Sequence, residues 1–176
     1  MQKDGLLTLA DAQALTASAV SEHVVDQGAV MDMANGRQLF AVFTVTTTFT
    51  GAGTEALYFR VVYNSDDSLV LATAYACPLL GQSSLVALSS LTAGTQIVVA
   101  LSPWVVNTGT GSEFTASTLA RQYVHAAIYA VAVADGTTGD AFTAGAFDLH
   151  LTCENPRGQK YYPRSTLSDG NVVKFG

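Results

Sequence analysis

Charged residues are scarce in this sequence. Lys, Arg, Asp and Glu make up 12% of its 176 residues, about half the ~25% share of an average soluble protein. Threonine, serine, alanine and glycine take the places that lysine and glutamate usually fill. A surface with so few charges is expected where other subunits cover much of it. It also suits rigid β structure, in which threonine packs well on a pleated face.

Long hydrophobic runs are missing as well. Hydrophobic residues make up 49% of the chain, yet no apolar run reaches the ~18 to 20 residues that a membrane helix needs. The first 19 residues carry one lysine followed at once by aspartate, and Thr8, Asp11 and Gln13 interrupt their apolar stretch. Such a segment does not resemble a secretory signal. We therefore expect a protein that neither enters a membrane nor is exported.

The charges that are present are unevenly distributed. Residues 1–152 hold four basic and twelve acidic side chains, whereas residues 153–176 hold four basic and two acidic ones. An acidic body argues against non-specific nucleic-acid binding, because phosphate neutralisation needs clustered Lys and Arg. The basic tail indicates contact with an acidic protein surface, such as a neighbouring copy, and a solvated tail explains it equally well.

Residues that bind metals or form disulfides are few. The two cysteines, Cys77 and Cys153, are read as free thiols because nothing indicates an oxidising compartment. Two cysteines cannot form a structural zinc site alone, and His23, His125 and His150 lack metal-ligand spacing. The sequence therefore predicts no metal and no cofactor.

Motifs of catalysis are also absent. There is no GxSxG motif, no P-loop lysine, and no triad among the three dispersed histidines. A lone GxG at residues 109–111 lacks the strand-to-helix context of a dinucleotide site. We therefore expect a protein that is not an enzyme.

Three weaker candidates for chemistry have simpler explanations. Asp66 and Asp67 beside Asn64 could form a calcium turn, but ordinary hairpin tips use the same residues. His125 and His150 could meet across a sheet, although two separate core histidines explain them better. Trp104 could stack on a sugar, whereas a core or interface aromatic is the simpler interpretation.

The chain is predicted to be almost entirely strands. The longest strand-like run, residues 121–133, is apolar on both alternating faces and is expected to be buried on both sides. A long loop is expected at residues 102–119. Seven or eight evenly spaced strands without a convincing helix predict an all-β, jelly-roll-like sandwich. The other predicted strands are residues 19–26, 37–48, 55–63, 69–76, 85–88, 95–101 and 144–152.

Three regions follow from this pattern. Residues 1–19 are expected to form an extended or loosely helical arm, residues 20–152 the jelly-roll domain, and residues 153–176 an extended basic tail. The tail is polar, contains two prolines and lacks a periodic apolar face. Its aromatic residues suit docking on a partner, and disorder in the free protein explains its composition equally well.

One segment resembles a known family. Residues 11–19, DAQALTASA, followed by VVDQG at 24–28, resemble the N-terminal signature of capsid cement proteins of tailed phages, the Bordetella-phage type of decoration protein. LTAGT at 91–95 and FTAG at 142–145 stand in the same order as similar family segments. The resemblance covers about residues 8–150. The 102–119 loop and the tail depart from the family pattern.

The resemblance implies a jelly-roll protein without an active site that binds the outside of an icosahedral phage shell and clamps neighbouring major capsid subunits. Its partners would be the major capsid protein and further copies of itself, with a dimer favoured and a trimer possible. It would lie on the capsid exterior after synthesis in the host cytoplasm. A carbohydrate-binding jelly roll and another virion or fibre component remain as alternatives.

Arm and tail are the expected sources of contacts with the shell. Many weak contacts repeated by symmetry add up to strong attachment, so extensions at both ends of a rigid sandwich suit a clamp. The candidate partner-contacting residues are Asp11, Gln13 and Leu15 in the arm, and Arg157, Lys160, Tyr161, Tyr162, Arg164, Lys174 and Phe175 in the tail.

Overall fold

Two antiparallel sheets make up the described part of the chain. The computed structural model describes residues 7–26, 38–51, 55–101, 123–132 and 142–153. Within these ranges no helix is both long and apolar enough to cross a bilayer. The strands are β1 (Thr8–Ala14), β2 (Ala19–Val20), β3 (Val25–Asp26), β4 (Leu39–Thr50), β5 (Glu55–Asn64), β6 (Leu79–Gln82), β7 (Val86–Ala87), β8 (Gln96–Leu101), β9 (Tyr123–Ala132) and β10 (Ala144–Thr152).

The strand order is that of a jelly roll. The first sheet runs β1-β10-β4-β8, and the second runs β2-β9-β5-β6, with β3 also pairing with β9 and β7 with β5. If the short neighbours β2 and β3 are counted as one strand, and β6 and β7 as another, eight strands remain. These eight form two four-stranded antiparallel sheets, as in a jelly roll. The predicted all-β sandwich is confirmed.

Aromatic stacking joins the two sheets at the centre of the core. Phe43 of β4 stacks on Phe147 of β10 with ring centroids 4.5 Å apart, and on Phe59 of the opposite sheet at 5.4 Å. All three rings have no exposed surface. Large offset-stacked rings contribute more than their buried area alone, so this triplet fixes how the sheets lie on each other.

The edge strands of the two sheets contact each other on both sides of the sandwich. On one side, the Gln13 side chain donates to the Val20 carbonyl at 2.9 Å and accepts from the Glu22 amide at 3.1 Å. On the other side, a Cβ on Gly81 of β6 would lie 2.7 Å from a methyl of Leu101 in β8. Glycine at position 81 therefore allows the two edge strands to approach closely.

The N-terminal prediction needs correction. Residues 8–14 do not belong to an arm outside the domain, because β1 pairs with β10 as an edge strand of the first sheet. The strand escaped prediction because its register shifts twice. Leu9 and Ala10 are consecutive and both buried, and Ala12 has a φ of 50° while its amide donates to Asp148. A strand bent in this way loses the alternation by which strands are recognised.

Two further strand predictions were wrong in detail. Residues 69–76 form no strand but a cover over the second sheet, with a single turn of 3-10 helix at Leu71–Thr73. The predicted strand 19–26 divides into β2 and β3, because the His23 amide turns away to the Leu9 carbonyl. The short strand β6 was not predicted. The remaining described strands were predicted within about three residues at each end, including β9 and β10.

Gly145 offers a test of how tightly the first sheet is packed. Its φ is +153°, and an added Cβ would lie 2.2 Å from the Phe49 ring. We expect Gly145→Ala to lower the free energy of unfolding by about 2–4 kcal/mol, because backbone strain and steric overlap add. Chemical denaturation at 25 °C measures this loss.

Gly94→Ala is the matched control. Gly94 also has a positive φ, 88°, but nothing lies within 4 Å of its virtual Cβ. We expect a loss of only about 1 kcal/mol from the backbone conformation. Equal losses in the two variants would show that the Phe49 ring moves aside without cost.

Candidate functional site

The outer face of the second sheet carries a second buried cluster. Residues 65–78, here called the cover segment, leave the sheet after β5 and return to it at β6. Leu69 and Ala74 of this segment are buried against the sheet. We call this group the outer cluster; it comprises Val62, Leu69, Ala74, Ala127, Tyr129 and Val131, with the partly buried Val20, Tyr58, Leu71, Cys77 and Leu79.

Arg60 lies at the centre of this apolar surface. It belongs to β5, pairs with Ala127 of β9, and is only 3% exposed. Neither its Nε nor its Nη1 has a hydrogen-bond partner. No carboxylate of the described residues forms an ion pair with it. Burying an unpaired charge is costly, so the position needs an explanation beyond packing.

Three tyrosines surround the guanidinium. The Tyr75 ring lies 4.3 Å from the Arg60 Cζ, which is cation–π geometry. Tyr58 stacks on Tyr129 at 4.9 Å, and its hydroxyl forms a hydrogen bond with that of Tyr75. Burial raises the pKa of Tyr58, and the hydrogen bond to Tyr75 raises it further. Burial also raises the pKa of Tyr129, partly opposed by Arg60. Both phenols are therefore neutral near pH 7 and cannot serve as counter-ions to Arg60.

Cys77 borders the same cluster but is unsuited to nucleophilic chemistry. Its Sγ lies 3.6 Å from the Thr73 carbonyl oxygen, and burial raises the pKa of the thiol. A raised pKa leaves little thiolate, which is the reactive form. Cys77 and Cys153 are both free, as predicted.

His125 holds the start of the cover segment against the sheet. Its Nε2 lies 3.1 Å from the Asp66 carbonyl oxygen, so this nitrogen carries a proton and donates it. Burial lowers the pKa of His125, while the hydrogen bond and the nearby Asp67 carboxylate act in the opposite direction. The imidazole is 3% exposed and is neutral near pH 7.

The cover segment presents apolar side chains to solvent. Among the described residues, the exposed large hydrophobic side chains are Val70 at 63%, Tyr75 at 49% and Leu85 at 51%. Two of the three belong to the cover segment. Tyr75 is thus both a contact of Arg60 and part of an exposed apolar surface, which makes the outer cluster the strongest candidate site within the described ranges.

The predicted N-terminal site residues fall into three different environments. Leu15 is 1% exposed in the main core, so its predicted role in partner contact is wrong: its side chain fills the sandwich. Gln13 uses its amide to join β1 to residues 20–22. Asp11 is exposed and stays a candidate contact. The predicted tail residues, 157 to 175, lie outside the described residues.

The structure also bears on the three weaker candidates for chemistry. The Asn64 amide closes its turn, accepting from the Ser65 amide and donating to the Ser68 carbonyl, which fits the hairpin interpretation. In the ranges that the structure describes, no three His, Cys, Asp or Glu side chains are grouped for a metal ion. His125 and His150 are both buried, but on different sheets, so they do not meet across one sheet, in agreement with the favoured interpretation of two separate core histidines. Trp104 lies outside the described residues.

Arg60 was not singled out from the sequence, although a signal was there. It is the one charged residue inside EALYFRVVY after the first position, a run otherwise typical of a strand buried on both faces. Arginine in such a run is rarely fully buried unless paired. Its phase, shared with Tyr58 and Val62, assigns it to the outer face.

Fold and site together define a jelly-roll protein whose strands β5 and β9 are buried on both faces. Beneath an exposed aromatic side chain lies an arginine that has no carboxylate partner among the described residues. The sequence matches the Bbp16 family over residues 9–151, from β1 to β10. The chain belongs to the Bbp16 family, whose name suggests a protein of a Bordetella phage. No curated protein matches the sequence.

Replacing Arg60 by methionine tests whether its charge is unsatisfied. Methionine has a similar shape without the charge, and buried ionic groups replaced in this way often leave stability unchanged or increased. We expect Arg60→Met to unfold at the same or a higher denaturant concentration, with a gain of up to about 2 kcal/mol. Arg60→Ala should instead lose stability, because it also removes the packing of the aliphatic stem. A loss above about 2 kcal/mol in Arg60→Met would show that the guanidinium is well paired.

The lowered pKa of His125 predicts that the stability of the protein depends on pH. Its folded-state pKa lies below the ordinary value of about 6.5, so the unfolded chain binds more protons as the pH falls through that value. The free energy of unfolding should therefore decrease on acidification. We expect wild type to lose about 1 kcal/mol more than His125→Gln between pH 7.5 and 5.5, measured by denaturation. All other titratable groups are the same in the two proteins and cancel in the difference; identical pH profiles would contradict the prediction.

Proposed function

We propose that this protein is a virion structural protein that binds the outer surface of an icosahedral phage shell and clamps neighbouring major capsid subunits. The observation that carries the proposal is membership of the Bbp16 family, whose name suggests a phage protein. The closed jelly roll supports it, since a clamp must transmit force without unfolding. The role requires binding surfaces and no catalytic chemistry.

The sparse charge of the sandwich fits a protein held by many contacts rather than by one charged patch. Within the described residues, Arg60 is the one Lys or Arg side chain, and it is buried. Attraction to an acidic shell would therefore come from basic residues outside the described ranges; four of these seven Lys and Arg residues are in the tail. Because β1 belongs to the first sheet as its edge strand, we assign more of the attachment to the tail and to the sandwich surface than to residues 8–19.

Co-sedimentation with phage shells tests the proposal. Purified protein is mixed with undecorated, expanded shells of the cognate phage and pelleted, with an unrelated jelly-roll protein as control. We expect saturable binding at a fixed ratio to the major capsid subunit, because symmetry repeats one site across the lattice. Failure to bind cognate shells, with binding to glycans instead, would reassign the protein as a carbohydrate-binding module.

A tail variant locates the contact in the same assay. Replacing Arg157, Lys160, Arg164 and Lys174 together by glutamine removes the positive charge of the tail and changes no residue of the described strands. We expect at least a tenfold loss of affinity for shells. Asp66→Asn with Asp67→Asn is the matched control, an exposed charge change elsewhere on the molecule. Unchanged occupancy of the tail variant would exclude the tail as a charged anchor.

A further inference from the structure

Among the residues that the structure describes, no carboxylate partners the guanidinium of Arg60. Arg60 is 3% exposed, and its Nε and Nη1 donors are without hydrogen-bond partners. The neighbouring aromatic rings supply a cation–π contact and neutral hydroxyls but no negative charge. The planar donor fork of arginine matches a carboxylate, which accepts two parallel hydrogen bonds. A carboxylate is therefore the group that best completes this site.

Tyr75 is placed to control access to the guanidinium. Its ring covers Arg60 at 4.3 Å, yet the side chain is 49% exposed. Its hydroxyl forms a hydrogen bond with the Tyr58 hydroxyl, and its ring makes a tilted contact with the Tyr129 ring, with the centroids 5.0 Å apart. A half-exposed side chain with these few contacts can rotate outward without disturbing either sheet. Rotation would open the Arg60 donors to a group arriving from solvent.

The surroundings favour a protein side chain over a small solute. Val70 and Tyr75 expose apolar surface on the same cover segment, and a protein partner can bury that surface while a small anion cannot. The acidic groups of the cover segment, Asp66 and Asp67, lie at its start, where Asp66 contacts His125. A single carboxylate flanked by apolar residues fits this surface better than an acidic cluster.

We propose that Arg60, covered by Tyr75, forms a binding site for one Asp or Glu side chain of a partner protein. The carboxylate replaces Tyr75 as the main contact of the guanidinium, and Tyr75 turns outward to pack on the partner beside Val70. The proposal does not depend on which protein carries the carboxylate. It therefore stands or falls separately from the proposed role on phage shells.

The Arg60 Nε–H resonance in a nitrogen–proton correlation spectrum reports directly on the site. It is assigned by its disappearance in Arg60→Met. The full-length ¹⁵N-labelled protein is titrated at pH 7 with a blocked Ala-Val-Glu-Val-Ala peptide, and separately with the same peptide carrying glutamine. We expect a saturable downfield shift with the glutamate peptide, as a charge-assisted hydrogen bond forms, and no saturable shift with the glutamine peptide.

Two variants of Tyr75 separate the cover from the site itself. Tyr75→Ala removes the cation–π contact that the ligand must displace, so the glutamate peptide should bind several-fold to about tenfold tighter. Tyr75→Phe keeps the ring over Arg60 and should bind within about threefold of wild type. Both changes affect an exposed side chain, so both proteins are expected to fold.

Three results would overturn the proposal. An unperturbed Arg60 resonance at tens of millimolar glutamate peptide, in wild type and in Tyr75→Ala, would mean that the site takes no carboxylate. Equal shifts with the two peptides would mean that charge is not recognised. Acetate binding as tightly as the glutamate peptide would leave a small-anion site and remove the protein partner.

Discussion

The pairing of β5 with β9 is the constraint on which the rest of the structure depends. These two strands pair over ten consecutive positions, from Glu55 with Ala132 to Asn64 with Tyr123. Both lie inside the second sheet and both are covered on two faces. Their inner residues, such as Phe59 and Ile128, build the main core. Their outer residues require a second cover, which the chain supplies by looping out between β5 and β6. The two-sided burial of this pair thus determines both the sandwich and the outer cluster.

Burial of this strand pair on both faces also explains why the charge of Arg60 is costly to bury. In a sheet with a solvated face, an arginine at the phase of Arg60 would extend into water at no cost. Here the cover segment removes that water and offers the guanidinium a tyrosine ring in its place. A cation–π contact recovers only part of the lost hydration free energy. The Nε and Nη1 donors of Arg60 stay without hydrogen-bond partners among the described residues. The cover segment is also where Val70 and Tyr75 reach solvent, so a half-exposed ring lies directly over the guanidinium.

Sequence patterns predicted the parts of this fold that are regular. Strand β9 was readable because it pairs with β5 in one register over all ten residues and so keeps the two-residue period of a strand. Prediction failed where the backbone departs from that period. The register of β1 shifts twice, and the cover segment has the apolar composition of a strand without its geometry. No local pattern distinguishes Leu69 packing onto a sheet from Leu69 lying within one. The outer cluster was missed for the same reason, since it exists only once the cover segment is placed over Arg60.

Positive and negative charges are concentrated in different parts of the chain. Seven of the eight Lys and Arg residues lie outside the described ranges, whereas those ranges hold seven Asp and Glu residues. Any long-range attraction to an acidic partner would therefore come from the segments outside the described ranges, which include the basic tail. Interactions between solvent-exposed charges are screened by salt over about 8–10 Å, whereas a buried pair is screened far less. Attraction by the tail and binding at Arg60 would then be separable steps: the first brings a partner close, and the second recognises one carboxylate after Tyr75 has turned outward.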